Sequence, residues 1–345
     1  MRRYLILLVT LALALSACSP QATEVPSDAP IQAEESATSE SEPAATGAAT
    51  ETAEPESLDT AWLSQDPPLE AAPQEVEIPT ADGRTLAGMY YPSKVNPAPI
   101  VVLMHWAGGD MRDWVAIAPW LQNRPDELSL ASRLARPAVQ IDGPWLDPSW
   151  FPAITPEASF GALIFDYNGF GQTPYAAADD SLLQDSLAAV TFASTLEGAD
   201  PNMIVAAGAS IGADGAVDGC YLFNEAVAAG EAQGQCLVAL SLSPGNFLTG
   251  QFTYTKATQT LTESEVVVYC LAAEDDGEAW DVCEELENLP SYRIDAIPFE
   301  YAGDLHGMML VDPEINPIDP ANGLNALQIF LEFLEAATQL PVAAE

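Results

Sequence analysis

The sequence predicts an α/β domain with a mostly parallel central sheet, and three observations carry that expectation. Five short apolar runs, at 99–105 (PIVVLMH), 160–167 (FGALIFDY), 202–209 (NMIVAAGA), 236–244 (CLVALSLSP) and 265–273 (EVVVYCLAA), are continuous rather than alternating. Such runs are strands covered on both faces. The segments between them carry helical patterning at about 111–122, 180–196, 211–228 and 277–288, so strand and helix alternate along the chain as parallel sheets require. A final stretch, NGLNALQIFLEFLEAATQL, has its apolar residues at the spacing of an amphipathic helix.

Taken in order, the first 18 residues follow an export plan: basic Arg2 and Arg3, an apolar run from Leu5 to Leu15, then LSAC ending at Cys18. The run is short of the ~20 residues that span a bilayer. LSAC resembles a bacterial lipobox, which implies lipidation of Cys18 and an extracytoplasmic, membrane-anchored protein of the bacterial cell envelope. Residues 19–75 are mostly Ala, Ser, Thr, Glu and Pro, with thirteen acidic residues, one Trp and no Lys or Arg. That composition buries too little apolar surface to offset the entropy of ordering, so it reads as a solvated tether with a reach of about 40 Å. The folded domain is expected over 76–345. It opens with EVEIPTADGRTLAGMYYP, whose alternation on both sides of Ala81-Asp82-Gly83 reads as a β-hairpin. Residues 123–158, rich in Pro and carrying Trp145, Trp150 and Phe151, show no period and read as an insertion at the edge of the sheet away from the strand ends, not as a lid. The last expected strand is IDAIPFEY, at 294–301.

The chain of 345 residues is 48% hydrophobic, enough for a sizeable core, yet its formal charge is −41. With 38 acidic residues against eight basic ones, the folded part keeps about −30. Nucleic acid is thereby excluded as a partner, anionic substrates are disfavoured, and neutral or cationic ones fit better. The same charge is also what a highly solvated surface would carry. Beyond Cys18 the cysteines are Cys220, Cys236, Cys270 and Cys283. An even count in an exported chain suggests two disulfides, and pairing sequence neighbours gives Cys220–Cys236 and Cys270–Cys283 among three connectivities. Their spacing is not that of a zinc site.

The chemistry centres on GASIG, Gly208–Gly212, a G-x-S-x-G pattern with a strand before it and a helix pattern after it. A sharp strand-to-helix turn there would raise the hydroxyl of Ser210 at the carboxyl edge of the sheet. A serine needs a base, and the chain has only two histidines. His105 ends the first buried strand, whereas His306 follows the last one on the glycine-bracketed loop YAGDLHGMML and suits the role. The base in turn needs a carboxylate, and Glu274, Asp275 and Asp276 stand just past a strand.

In this order the three groups resemble the triad of the α/β-hydrolase superfamily, in its dienelactone-hydrolase-like or serine-aminopeptidase-like branches. LMHWAGGDMRDW is similar to that family's oxyanion loop, and FDYNGFGQT to the turn after its fourth strand. The resemblance implies an α/β-hydrolase fold with little or no cap and a serine hydrolase without cofactor or metal. Its substrates would be small neutral esters or related acyl compounds, cleaved through Ser210, Asp276 and His306. Asp276 is selected, with Asp275 second, because similar loops place the acid three residues past the small residue ending the strand. The oxyanion donors implied are the backbone N–H of Ile211 and of Ala107, with Trp106 second. Here the chain departs from the family: Trp106 stands where glycine is common, and Asn168 where arginine is common. A peptidase on the same triad, and a non-catalytic ligand-binding lipoprotein on the same scaffold, are the alternatives. Asp214 and Asp218, four apart after the serine, read either as acids near a helix N-terminus or as the lining of a pocket for a cationic group or metal.

Overall fold

The computed structural model describes residues 66–124, 151–176, 180–248, 253–297, 305–311, 326–339 and 342. All of these fall in one unit of the chain, Glu56–Glu345. The expected signal peptide, nearly all of the expected tether and residues 125–150 of the insertion, with Trp145 and Trp150, lie outside the described residues. So does the end of IDAIPFEY.

Eight strands form one sheet: β1 (Gln74–Pro79), β2 (Thr85–Tyr91), β3 (Ala98–Met104), β4 (Gly161–Phe165), β5 (Ala199–Ala209), β6 (Cys236–Leu242), β7 (Val267–Ala273) and β8 (Tyr292–Ile297). Their spatial order is β1-β2-β4-β3-β5-β6-β7-β8. The β1–β2 hairpin is antiparallel, and β2 lies antiparallel to β4. Every other pairing is parallel. Among the described residues the helices are α1 (Ile117–Gln122), α2 (Ser181–Ala193), α3 (Ile211–Ala228), α4 (Tyr254–Glu263), α5 (Gly277–Glu285) and α6 (Ala326–Thr338), with a short 3-10 turn at Met111–Trp114 and another at Gly307–Val311.

Central strands send alternate residues to two cores, which is why their sequences are continuous apolar runs. From β3, Val101 and Leu103 join Trp114, Leu121 and the Phe330 and Phe333 rings of α6. Ile100, Val102 and Met104 face the other way, toward Leu183, Val190, Val217 and Phe223 of α2 and α3. Each large side chain buried this way contributes about 1.5–3 kcal/mol.

Helix α4 was not expected. YTKATQTLTE is rich in Thr, which disfavours helix because its branched Cβ crowds the preceding turn. The buried positions are nonetheless Tyr254, Ala257, Thr258, Leu261 and Thr262, a helical stripe in which threonines stand for aliphatic residues. Thr262 buries its hydroxyl by bonding backwards to the Thr258 carbonyl at 2.9 Å. Other bounds shift modestly. The 111–122 segment splits into the 3-10 turn and α1, β5 starts at Ala199, and β8 starts at Tyr292, two residues before the expected run.

The hairpin begins at Gln74, and residues before it already contact the domain: Arg124 Nη1 donates to Leu69 O at 2.8 Å and Gln122 Nε2 to Ala71 O at 2.8 Å. The described end of the insertion is pinned under α1. Trp120 Nε1 donates to Pro152 O at 2.8 Å, and its ring lies 5.5 Å from that of Phe151.

Both expected cysteine pairs are bonded, Cys220 to Cys236 and Cys270 to Cys283, with Cα separations of 5.4 and 5.9 Å. The first ties α3 to the start of β6, the second ties β7 to α5.

Candidate active site

Strand β5 ends at Ala209 and α3 starts at Ile211, leaving Ser210 alone to turn the chain. Its φ of 53° and ψ of −117° are strained for a residue with a side chain, at about 1–3 kcal/mol. The surroundings hold it there: the Ser210 N–H donates to Leu242 O at 2.8 Å, and its carbonyl accepts from Ala213 at 2.8 Å. The two glycines of GASIG are required by closeness. A Cβ on Gly208 would strike the Gly212 carbonyl, and one on Gly212 would strike the carbonyls of Met104 and His105.

His306 and Asp276 meet this turn from the ends of later segments. His306 Nε2 lies 2.8 Å from Ser210 Oγ, and its Nδ1 lies 3.0 and 2.9 Å from the two carboxyl oxygens of Asp276. A carboxylate only accepts, so Nδ1 carries the proton and Nε2 presents a lone pair to the hydroxyl. Asp276 is the residue before α5, and its N–H donates to Ala273 O at 3.0 Å. The acid thus sits three residues beyond Ala273, the last of β7. Ser210 is 7% exposed, whereas the His306 side chain keeps 32% of its surface open.

The other histidine is built into the core. His105 Nδ1 lies 2.7 Å from Trp106 O, and its Nε2 accepts the Tyr167 N–H at 3.1 Å. Those partners fix a neutral ring, and burial holds its pKa down at about 4. Rings of Tyr167 and Phe170 stand edge-on to it at 5.1 and 5.0 Å. Trp106, Ala107 and Gly108 follow on a loop whose far end is fastened by Asp166, which takes the Met111 N–H at 2.8 Å and the Gln172 N–H at 2.7 Å. Ala107 is exposed, and Ile211 is the first residue of α3, one step past Ser210. Asp113 lies against Gly109 beneath the Trp106 indole, and burial, with the Asp110 charge second, pushes its carboxyl up to about 7.

Asp214 has a different task from lining a pocket. Its Oδ1 accepts the Gly245 N–H at 3.0 Å, and its Oδ2 accepts from Leu248 at 3.3 Å and from Phe247. The carboxylate therefore folds the 245–248 loop, which brings the Phe247 ring edge-on to His306 at 6.1 Å. Burial raises Asp214 to about 6 despite those donors, and burial together with Asp214 raises Asp218 well above the ordinary range. Among the described residues no cluster of three or more His, Cys, Asp or Glu is gathered as metal ligands.

Sequence reasoning missed Ser243, Asp166 and Phe247. Ser243 Oγ accepts the Gly307 N–H at 2.9 Å and so steadies the residue next to His306. Both Ser243 and Asp166 end apolar strands, and a polar residue closing such a run was the available signal.

No family model matches the chain. A relative, Uncharacterized protein YfhR of Escherichia coli (strain K12), is 25% identical over 147 residues, 42% of this chain. The match spans 40% of that relative's length. Among solved structures, the alpha/beta hydrolase GrgF from Penicillium sp. sh18 aligns with a TM-score of 0.50 at 12% identity, covering 78% of this chain and 99% of GrgF. EstE1, a thermostable carboxylesterase from a metagenomic library, aligns with a TM-score of 0.48 at 16% identity, covering 79% and 91%. The strand order and the GrgF alignment agree: the domain has the α/β-hydrolase fold.

Proposed function

We propose that this chain is a serine hydrolase that cleaves small neutral esters or related acyl compounds, with Ser210 as nucleophile, His306 as base and Asp276 as its orienting acid. The observation that carries the reading is the unbroken chain from the Ser210 hydroxyl through His306 to Asp276, with bonds of 2.8 and 2.9 Å. Ser210 Oγ attacks the ester carbonyl while His306 Nε2 takes its proton, and Asp276 stabilises the imidazolium. The oxygen gains negative charge and is received by the backbone N–H groups of Ile211 and Ala107, each worth about 3 kcal/mol in the transition state. On collapse the alkoxide leaves with the proton from His306. Water then attacks the acyl-serine, giving its proton to His306, and the acid departs as Ser210 Oγ recovers it. An acidic surface favours uncharged substrates throughout.

Lipidation at Cys18 and a tether over 19–75 would hold the domain clear of a bacterial membrane. The pairs Cys220–Cys236 and Cys270–Cys283 fit an oxidising, extracytoplasmic compartment.

The test is turnover of p-nitrophenyl acetate by the full-length chain and by Ser210→Ala. The reading expects hydrolysis that falls by about 10⁴-fold or more in the variant. Equal rates in the two proteins would refute it.

A further inference from the structure

We infer that Trp106 determines acyl specificity: its indole closes the acyl side of the Ser210 site, so that acetyl and propionyl esters are accepted and medium-chain ones refused. The inference rests on the hydrolase reading above. It begins with Gly307, whose φ of 59° sets the chain beside His306. A Cβ on that glycine would lie 3.0 Å from the Trp106 ring and 3.6 Å from both Trp106 Cβ and Ser210 Cβ. The indole and the nucleophile therefore flank one glycine.

Direction follows from the chemistry. The carbonyl oxygen turns toward Ile211 and Ala107, and the leaving group must reach His306 Nε2 to be protonated. The acyl substituent takes the remaining direction. Trp106 directly precedes Ala107, and its ring fills space that a glycine there would leave open. Phe247, by contrast, stands edge-on to the imidazole, the group that must protonate the leaving group.

The indole is also fixed. Gly108 and Gly109 lie so close beneath it that a Cβ on either would come within 3.0 and 2.7 Å of its atoms. Its inner face packs on the core that holds Trp114 and Met308. A half-buried ring gripped in this way cannot swing aside for a longer chain without unpacking the loop.

The experiment measures kcat/KM of the full-length chain for p-nitrophenyl acetate, butyrate, hexanoate and octanoate, with Trp106→Ala, Trp106→Phe and Phe247→Ala alongside. A fluorophosphonate reports in parallel whether Ser210 is labelled. Acetate should lead octanoate by at least about tenfold in the unaltered chain, and Trp106→Ala should shift that ratio toward octanoate by about tenfold or more. Trp106→Phe, which keeps a ring, should shift it less, and Phe247→Ala should leave the acyl ratio in place. Octanoate turned over as well as acetate by the unaltered chain overturns the inference. A ratio unmoved in folded Trp106→Ala does the same, and if that variant does not fold, Trp106→Phe and the unaltered chain's own preference decide. Labelled Ser210 with an unmoved ratio defeats this inference alone. No labelling and no turnover of any ester defeats the hydrolase reading and this inference with it.

Discussion

Ser243 Oγ accepts the backbone N–H of Gly307 at 2.9 Å, joining the end of β6 to the residue beside His306. Ser243 is fully buried, has a φ of 55°, and donates its own N–H to Leu271 O at 2.8 Å. The imidazole is therefore positioned from two sides, by Asp276 through the ring and by Ser243 through the backbone. Ser243→Ala should leave the Gly307 N–H without its acceptor, at about 1–3 kcal/mol. The expected result is a kcat reduced about tenfold or more with KM nearly unchanged, read from steady-state kinetics on p-nitrophenyl acetate. Unaltered kcat would show that Asp276 alone holds the ring.

The Cys270–Cys283 bond encloses Asp276 in a segment with a sequence separation of 13. Replacing both cysteines by serine should lower stability by about 3 kcal/mol, through the loop-closure entropy returned to the unfolded chain. Urea unfolding followed by circular dichroism measures this. The double variant should also lose kcat, since the N-terminus of α5 carries the acid. The matching change at Cys220 and Cys236 should cost stability with a smaller loss of kcat, because Ser210 is held by the strands on both sides of it.

Stability should rise on mild acidification. Burial lifts Asp113 to about 7 and Asp214 to about 6, against 3.8 in the unfolded chain, and burial with the Asp214 charge also raises Asp218 well above that value. Between pH 3.8 and about 7 the folded state therefore binds more protons than the unfolded one. Stability from these groups is fully present below that window and declines as pH rises through it, by about 1.4 kcal/mol per group per pH unit. Asp82, lowered to about 2 by bonds from Thr80 and Arg84, acts oppositely, but only in stronger acid. Relief of repulsion in so acidic a protein adds to the same trend. The thermal midpoint at pH 5 should exceed that at pH 7.5, and a midpoint higher at pH 7.5 would show that burial does not raise these carboxyls in the folded state.

What the sequence disclosed followed the range of the interactions involved. The α/β-hydrolase fold was legible because β3 to β7 bury both faces and so read as unbroken apolar runs, and the hairpin because β1 and β2 flank a tight turn at Ala81–Gly83. Ser210 was legible because its turn demands small neighbours on both sides. Helix α4 escaped because Thr258 and Thr262 occupy buried positions that a periodicity search assigns to aliphatic residues. Asp214 was conspicuous in the sequence, but its partners are backbone N–H groups some thirty residues away, and no side chain advertises them. Ser243 left only the signal of a polar residue closing an apolar run, because its partner, the Gly307 N–H, is a backbone group 64 residues away.

The central claim is that His306 activates Ser210, and the most direct measurement is the rate at which a fluorophosphonate modifies Ser210, located by mass spectrometry, in the full-length chain and in His306→Gln. The account predicts rapid modification of Ser210 in the first and a rate lower by about 10²- to 10⁴-fold in the second. Equal rates in the two proteins, or modification at some residue other than Ser210, would contradict it.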